Sequence, residues 1–134
     1  MLSNGDALVD WGNIPQITEF SSTGNVNMDL MLSGFSYRGF RFVWDGQPTQ
    51  PPAVASQRSG TGTTVWASWN GSTDVAAWRI LGGSDASHLS SVGGPFTKSG
   101  FETTMGLSGQ YATLAVQALS SSGSVLATSS PISG

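Results

Sequence analysis

The chain has 134 residues, a formal net charge of −3 and a pI near 4.7, and only 10% of its residues are charged. Its five basic residues form no cluster and no apolar run reaches the roughly 20 residues of a membrane span, which argues against nucleic-acid binding and membrane insertion. Cysteine is absent, which excludes disulfides, thiolate metal sites and cysteine nucleophiles. Few charges with abundant Ser, Thr and Gly favour strands and turns over long helices. The same composition favours an extracellular, secreted or cell-surface protein.

Residues 1–44 predict an antiparallel β-meander of about four short strands. Turn-forming residues separate the segments, and apolar and polar residues alternate within them, as in strands with one buried face. In the last segment the alternation places Phe40, Phe42 and Trp44 on one side. The predicted strands are 7–11, 16–20, 26–32 and 38–44.

Residues 3–6, Ser-Asn-Gly-Asp, give a strong hairpin-turn signal, yet only Met1 and Leu2 precede them. A hairpin turn needs a strand on each side, so the meander lacks its first strand. We therefore expect Met1 to be an internal cut or an artificial start. The alternative is that Asn4-Gly5 begins a loop.

Residues 45–52, DGQPTQPP, are predicted to be a linker between two domains. Their three prolines remove backbone donors and favour an extended, semi-rigid chain.

Residues 53–134 predict an immunoglobulin-like or fibronectin-III-like β-sandwich of about seven strands, with turn signals roughly every ten residues. The central pair lies in 63–81, where Trp69 and Trp78 fall on the apolar side and are expected to anchor the core. Tyr111 is out of phase with the apolar residues that follow it and is expected to point outward. The apolar side of the central pair is predicted to hold Val65, Ala67, Trp69, Ala76, Trp78 and Ile80. The other strands are predicted at 53–58, 89–92, 101–107, 112–118 and 124–132.

Several segments together resemble the C-terminal part of the arylsulfotransferase-like proteins of fungi and actinobacteria, in which a β-propeller precedes an Ig-like domain. The most specific are SYRGFRFVW at 36–44 and SWNGSTDVAAW at 68–78. The resemblance implies that residues 1–44 are the remainder of a last propeller blade. In full, the matching segments are LSNGDALVDWG (2–12), QITEFSSTGNV (16–26), SYRGFRFVWDGQPTQPP (36–52), VWASWNGSTDVAAWRIL (65–81), GFETTM (100–105) and LAVQALSSSG (114–123).

The resemblance does not imply that this chain has sulfotransferase activity. The family's bacterial enzymes use a propeller histidine, and no position here matches it. The only histidine, His88, follows Asp85 and Ser87 in a loop, but neighbouring residues do not make a triad, whose side chains converge from different elements. The carboxylates are scattered, without calcium-loop spacing, and no phosphate-binding glycine loop occurs. We therefore predict no catalytic, cofactor-binding or metal-binding residue.

Two features mark the predicted surface. Asn70-Gly71-Ser72 is an N-glycosylation sequon in an exposed turn. Trp66 lies on the face opposite Val65 and Ala67; a packing or interface role is favoured there over a sugar platform, and carbohydrate remains a weaker alternative. Phe40, Phe42 and Trp44 are the other candidate interface residues.

The sequence thus predicts a non-catalytic structural or interaction module. Its predicted partners are further copies, in an oligomer or fibre, or the rest of a larger parent chain. One alternative is an accessory part of an active aryl sulfotransferase. Another is a cell-surface adhesin or extracellular fibre subunit.

Overall fold

The computed structural model describes residues 1–134 and is all-β, with eleven strands in three antiparallel sheets. This confirms the predicted all-β, sandwich-like fold. The chain divides into two compact units, Met1–Val43 and Trp44–Gly134. No helix in the structure is long and apolar enough to span a membrane.

The first unit, Met1–Val43, is a three-stranded sheet of β1 (Ala7–Asp10), β2 (Gln16–Phe20) and β3 (Val26–Met31), in the order β1-β2-β3. A short turn closes the β2–β3 hairpin, where the Ser21 amide donates to the Asn25 carbonyl at 2.7 Å. The register places Glu19 of β2 between Leu8 and Met28. Strand β3 therefore forms an outer edge of this sheet.

The predicted fourth strand at 38–44 is wrong, because this segment pairs with no strand edge. It instead approaches the side chains of the sheet. A Cβ on Gly39 would lie 3.1 Å from Ile17 Cδ1, and Arg41 forms an ion pair with Glu19. The alternation is real, but Gly39 and Arg41 face the sheet while Phe40 and Phe42 are exposed.

The second unit, Trp44–Gly134, is a sandwich of two antiparallel sheets. One has the order β4-β5-β8. The other has the order β10-β9-β6-β7, with β11 also paired to β9. The strands are β4 (Ala53–Ser59), β5 (Gly62–Ser68), β6 (Ala77–Gly83), β7 (Leu89–Thr97), β8 (Glu102–Leu107), β9 (Thr113–Leu119), β10 (Val125–Thr128) and β11 (Ile132–Ser133).

The core of the sandwich lies between the two sheets and follows the alternation of β5 and β6. Buried and half-buried residues alternate along both strands, so the inward positions predicted for Val65, Ala67, Trp78 and Ile80 are confirmed. The neighbouring strands, β8 beside β5 and β9 beside β6, complete the core with Met105, Leu114, Val116 and Ala118.

Several predicted positions differ near strand ends. Ala76 precedes β6 and is half-buried. Trp69 lies beyond the end of β5 and is only partly buried, with its Nε1 donating to the Gln50 carbonyl at 2.7 Å. Phe101 lies before β8 and is exposed.

The predicted strand at 124–132 is interrupted and becomes β10 and β11. Pro131 has no amide N–H to donate to the neighbouring strand. Buried Ser129 instead forms hydrogen bonds with the backbone of β9. Its amide donates to the Val116 carbonyl at 2.9 Å, and its Oγ accepts from the Val116 amide at 3.0 Å. The polar residues at this break therefore continue the pairing with β9.

Tyr111 does not point outward as predicted, since its ring packs against the core. Gly82 makes room for it, because a Cβ at that position would lie 2.7 Å from Tyr111 Cγ. Strand β7 is also longer than predicted, reaching Thr97 instead of residue 92.

Residues 45–52, predicted to be an interdomain linker, belong to the second unit and are bonded to the β5–β6 turn. The Gly46 amide donates to Thr73 Oγ1 at 2.9 Å, and the Thr73 amide donates to the Gly46 carbonyl at 3.2 Å. Only glycine fits at position 46, because a Cβ there would lie 2.2 Å from the Gly71 carbonyl oxygen. The segment is thus fixed to the sandwich.

Candidate interaction surface

The His88 loop forms a local hydrogen-bonded turn between β6 and β7. His88 Nδ1 lies 2.8 Å from Asp85 Oδ1, and both side chains are largely exposed. Ser87 contributes its backbone amide to Asp85 Oδ1, also at 2.8 Å. The hydrogen bond with His88 lowers the pKa of Asp85 most, and the hydrogen bond from the Ser87 amide lowers it further. These bonds close the loop, and the geometry is not that of a nucleophile aligned with a base.

No group of three or more His, Asp or Glu side chains is placed to hold a metal ion. The depression beside Trp66 has a volume of about 90 Å³, far below the roughly 300–1,000 Å³ of small-molecule sites. Trp66 itself is half-buried and lies between Ala55 and Thr104 on the outer face of the β4-β5-β8 sheet. The depression is lined by Ala53, Val54, Ala55, Trp66, Ser68 and Glu102.

The first unit has no buried apolar side chain. Its buried residues are all polar: Asp6, Thr18 and Glu19. The apolar side chains of β3 and of residues 35–43 are instead exposed. They are Val26, Met28, Leu30, Met31, Phe35, Tyr37, Phe40, Phe42 and Val43.

Hydrogen bonds and one ion pair stabilise this sheet in place of a hydrophobic core. Thr18 Oγ1 accepts from Trp11 Nε1 at 2.9 Å and donates to Asp29 Oδ1 at 2.6 Å. On the opposite face, buried Glu19 pairs with Arg41. Period-two alternation does not identify such groups, because it treats every polar residue as solvent-facing.

Asp6 forms a second polar cluster that joins the turn before β1 to β3. Its carboxylate accepts from the Ser22 amide at 3.1 Å, from Asn27 Nδ2 at 3.1 Å and from Asn4 Nδ2 at 2.8 Å. Asn4 is predicted from the sequence to lie in a turn, and its side chain also holds the Asp6 carboxylate that links this turn to β3.

Strand β3 is an open and unprotected edge. All six of its residues are exposed, and it pairs only with β2. It carries no Lys, Arg or Pro, the residues that commonly prevent edge-to-edge pairing. Its one charged side chain, Asp29, is bonded to Thr18 and Gln16 on its own sheet. An edge of this kind is a template for an added strand.

The predicted interface residues Phe40, Phe42 and Trp44 are all exposed. The rings of Phe40 and Phe42 stack with centroids 6.0 Å apart and planes 21° apart. Asn70 of the sequon is exposed in the β5–β6 turn. Trp66 differs from the three exposed aromatic residues in being half-buried among small side chains.

We expect Asp29 to titrate below the 3.8 of an unperturbed aspartate, because hydrogen bonds from Thr18 and then Gln16 lower its pKa. A lowered folded-state pKa stabilises the fold above the unfolded-state value, and this contribution is lost as pH falls through the folded-state pKa. An NMR titration of the Asp29 carboxyl carbon measures it. Thr18→Val should raise the pKa and Thr23→Val, whose hydroxyl bonds Ser21, should not. Equal titration of Asp29 in all three proteins would contradict the assignment.

Comparison with known proteins finds no match for this chain among protein-family models, curated proteins or solved structures.

Proposed function

We propose that the chain is a non-catalytic structural and interaction module. Its sandwich has a complete core, whereas its N-terminal sheet is a docking element that protein outside the sheet completes. One observation carries the proposal: residues 1–43 bury no apolar side chain and expose those of β3 and of the segment after it. A sheet normally buries one apolar face, so this one has a surface still to be covered.

From the resemblance of its sequence segments we infer that the module belongs to a secreted, arylsulfotransferase-like parent protein. The strand order supports the Ig-like or fibronectin-III-like part of this proposal, since one sheet has the order β4-β5-β8 and the other β10-β9-β6-β7. The exposed sequon at Asn70 and the low charge support an extracellular location. The cover for the N-terminal sheet is then either the rest of the parent or another copy.

Two alternatives predict different properties for the protein. As an accessory part of an active aryl sulfotransferase, the chain is inactive alone and its gene continues upstream into a full propeller. As an adhesin or fibre subunit, it forms open polymers through both outer strands, β1 and β3. The unprotected edge of β3 favours assembly over a purely intramolecular role.

We expect hydrogen exchange to separate the two units in the purified chain. Amides of β5, β6 and β9 should exchange slowly at every protein concentration, because their side chains form the core. Amides of β1 to β3 should gain protection only as the protein assembles, which sedimentation on the same samples measures. A compact monomer with protected amides throughout residues 7–31 would overturn the proposal.

We expect no sulfuryl transfer from an aryl sulfate to a phenol by residues 1–134. The one histidine is exposed and bonded to Asp85 at a loop, and no nucleophile is aligned with a base. The assay compares the wild type with His88→Ala at high protein concentration. Transfer above background that His88→Ala removes would show that the chain is an enzyme.

A further inference from the structure

We propose that Asn70 is a site of spontaneous deamidation, at which the folded protein converts a side-chain amide into aspartate and isoaspartate. Asparagine is a chemically labile residue, and glycine after it places no Cβ beside the attacking backbone nitrogen. The chain contains two such pairs, Asn4-Gly5 and Asn70-Gly71. The structure leaves the second pair free to react and holds the first. The site lies in the sandwich, so it does not depend on what covers the N-terminal sheet.

The reaction needs only the chain and water. The Gly71 nitrogen attacks Cγ of Asn70, the N–Cγ bond forms, the Cγ–Nδ2 bond breaks, and ammonia leaves with the proton of the Gly71 amide. Water then opens the cyclic imide at one of its carbonyls. Opening at Cγ breaks the new bond and gives aspartate. Opening at the main-chain carbonyl breaks the original peptide bond and gives isoaspartate, whose main chain runs through Cβ and Cγ.

The Asn70-Gly71 pair has both reacting groups free. The two residues are exposed in the β5–β6 turn. The backbone bond that closes the turn joins their neighbours, since the Ser72 amide donates to the Trp69 carbonyl at 3.2 Å. The Asn70 side chain and the Gly71 amide take part in no hydrogen bond. The nitrogen can therefore approach Cγ without the loss of a bond that either group makes.

The Asn4-Gly5 pair is chemically equivalent but held by three hydrogen bonds. Asn4 Nδ2 donates to Asp6 Oδ2 at 2.8 Å, and Asn4 Oδ1 accepts from the Asp6 amide at 3.2 Å. The attacking nitrogen is also engaged, because the Gly5 amide donates to the Leu2 carbonyl at 3.1 Å. All three bonds oppose the approach of the nitrogen to Cγ. We expect Asn70 to deamidate at least about tenfold faster than Asn4, given the usual net strength of such bonds.

Isoaspartate at position 70 should also loosen residues 45–52 from the turn. It adds one methylene to the main chain directly before Gly71. The Gly71 carbonyl oxygen lies so close to Gly46 that position 46 has no room for a Cβ. A longer main chain displaces this carbonyl, and the Thr73 amide should then lose its bond to the Gly46 carbonyl. The modification thus acts on one of the bonds that fix the segment to the sandwich.

Incubation of the assembled protein at mildly alkaline pH tests the site. Peptide mapping by mass spectrometry, with isoaspartate separated from aspartate by chromatography, measures conversion at Asn4 and Asn70 in the same sample. Asn70 should convert first, and its conversion should accelerate as pH rises, because the attacking nitrogen has to lose its proton. Asn70→Gln should abolish conversion at position 70 and leave that of Asn4 unchanged, since glutamine would have to close a larger ring.

The same incubation in concentrated urea is the matched control. Unfolding removes the bonds from Asp6 and Leu2 but leaves both Asn-Gly pairs, so Asn4 and Asn70 should then convert at similar rates. Conversion of Asn4 as fast as Asn70 in the native protein would overturn the proposal. So would an Asn70 that converts in urea but stays an amide in the native protein.

Hydrogen exchange of the Thr73 amide tests the effect on residues 45–52. Protein with isoaspartate at position 70, isolated by chromatography, should exchange faster at Thr73 than freshly purified protein. Freshly purified Asn70→Asp should exchange like the wild type, because it adds the same negative charge without lengthening the main chain. Equal exchange in the isoaspartate form and in Asn70→Asp would overturn the inferred release of the segment.

Discussion

Trp78→Ala is expected to lower the free energy of unfolding of the sandwich by about 3–5 kcal/mol, as for other large-to-small changes in a protein core. Trp78 is 1% exposed and lies in β6, between Phe96 of β7 and Ala118 of β9. Its removal leaves a cavity between two sheets whose strands are held by paired backbones, so the cavity collapses only in part. Denaturant unfolding followed by circular dichroism measures the change.

Two further variants separate the effect of volume from that of the indole N–H. Nε1 of Trp78 is buried without a hydrogen-bond partner, so Trp78→Phe loses no hydrogen bond and should cost clearly less than Trp78→Ala. Trp66→Ala, on the outer face of the β4-β5-β8 sheet, should also cost less. Equal losses for Trp66→Ala and Trp78→Ala would show that the two indoles are buried alike, contrary to the structure.

Arg41→Ala is expected to destabilise the N-terminal sheet by about 3 kcal/mol, the lower end of the range for breaking a buried ion pair. The Glu19 side chain is 5% exposed and loses its only cationic partner, whereas Arg41 is 52% exposed and already partly hydrated. The segment through Gly39 should then detach from the face that carries Ile17. Faster hydrogen exchange of the β1 and β2 amides in the assembled protein, with unchanged exchange in β6, measures this loss.

Arg38→Ala is the matched control for Arg41→Ala. Arg38 lies over the ring of exposed Tyr37, at 5.3 Å from the ring centroid. Its replacement by Ala should therefore leave hydrogen exchange in the sheet unchanged. Adding Glu19→Gln to Arg41→Ala removes the unpaired buried charge and should restore part of the protection. If Arg38→Ala and Arg41→Ala have the same effect, the ion pair does not hold the segment on the sheet.

The sequence predicts the sandwich well because burial there follows a simple period. Strands β5 and β6 alternate without interruption, so the inward positions of Val65 and Trp78 follow from the residue types alone. Period and type cannot predict where a strand ends or which neighbour lies beside it. Trp69 falls just outside β5, and Tyr111 turns inward only because Gly82, distant in the chain, has no side chain.

The N-terminal sheet is predicted less well because its interior is polar. The alternation predicted at 38–44 is correct as a pattern, but the segment does not pair as a fourth strand of the meander. In the structure the small and charged residues, Gly39 and Arg41, face the sheet. The buried carboxylate of Glu19 is the reason, and its position depends on a residue 22 places later in the chain.

The bonding of residues 45–52 to the β5–β6 turn determines where the sandwich can be separated for use in a fusion protein. A cut after Pro52 follows the proline boundary, but it removes the carbonyl of Gly46 from the Thr73 amide and that of Gln50 from Trp69 Nε1. It also removes the segment that is hydrogen-bonded to the β5–β6 turn, which carries Asn70. A fusion protein in which the module begins at Trp44 keeps these bonds. Residues 45–52 should therefore be included as the first structural segment of the sandwich.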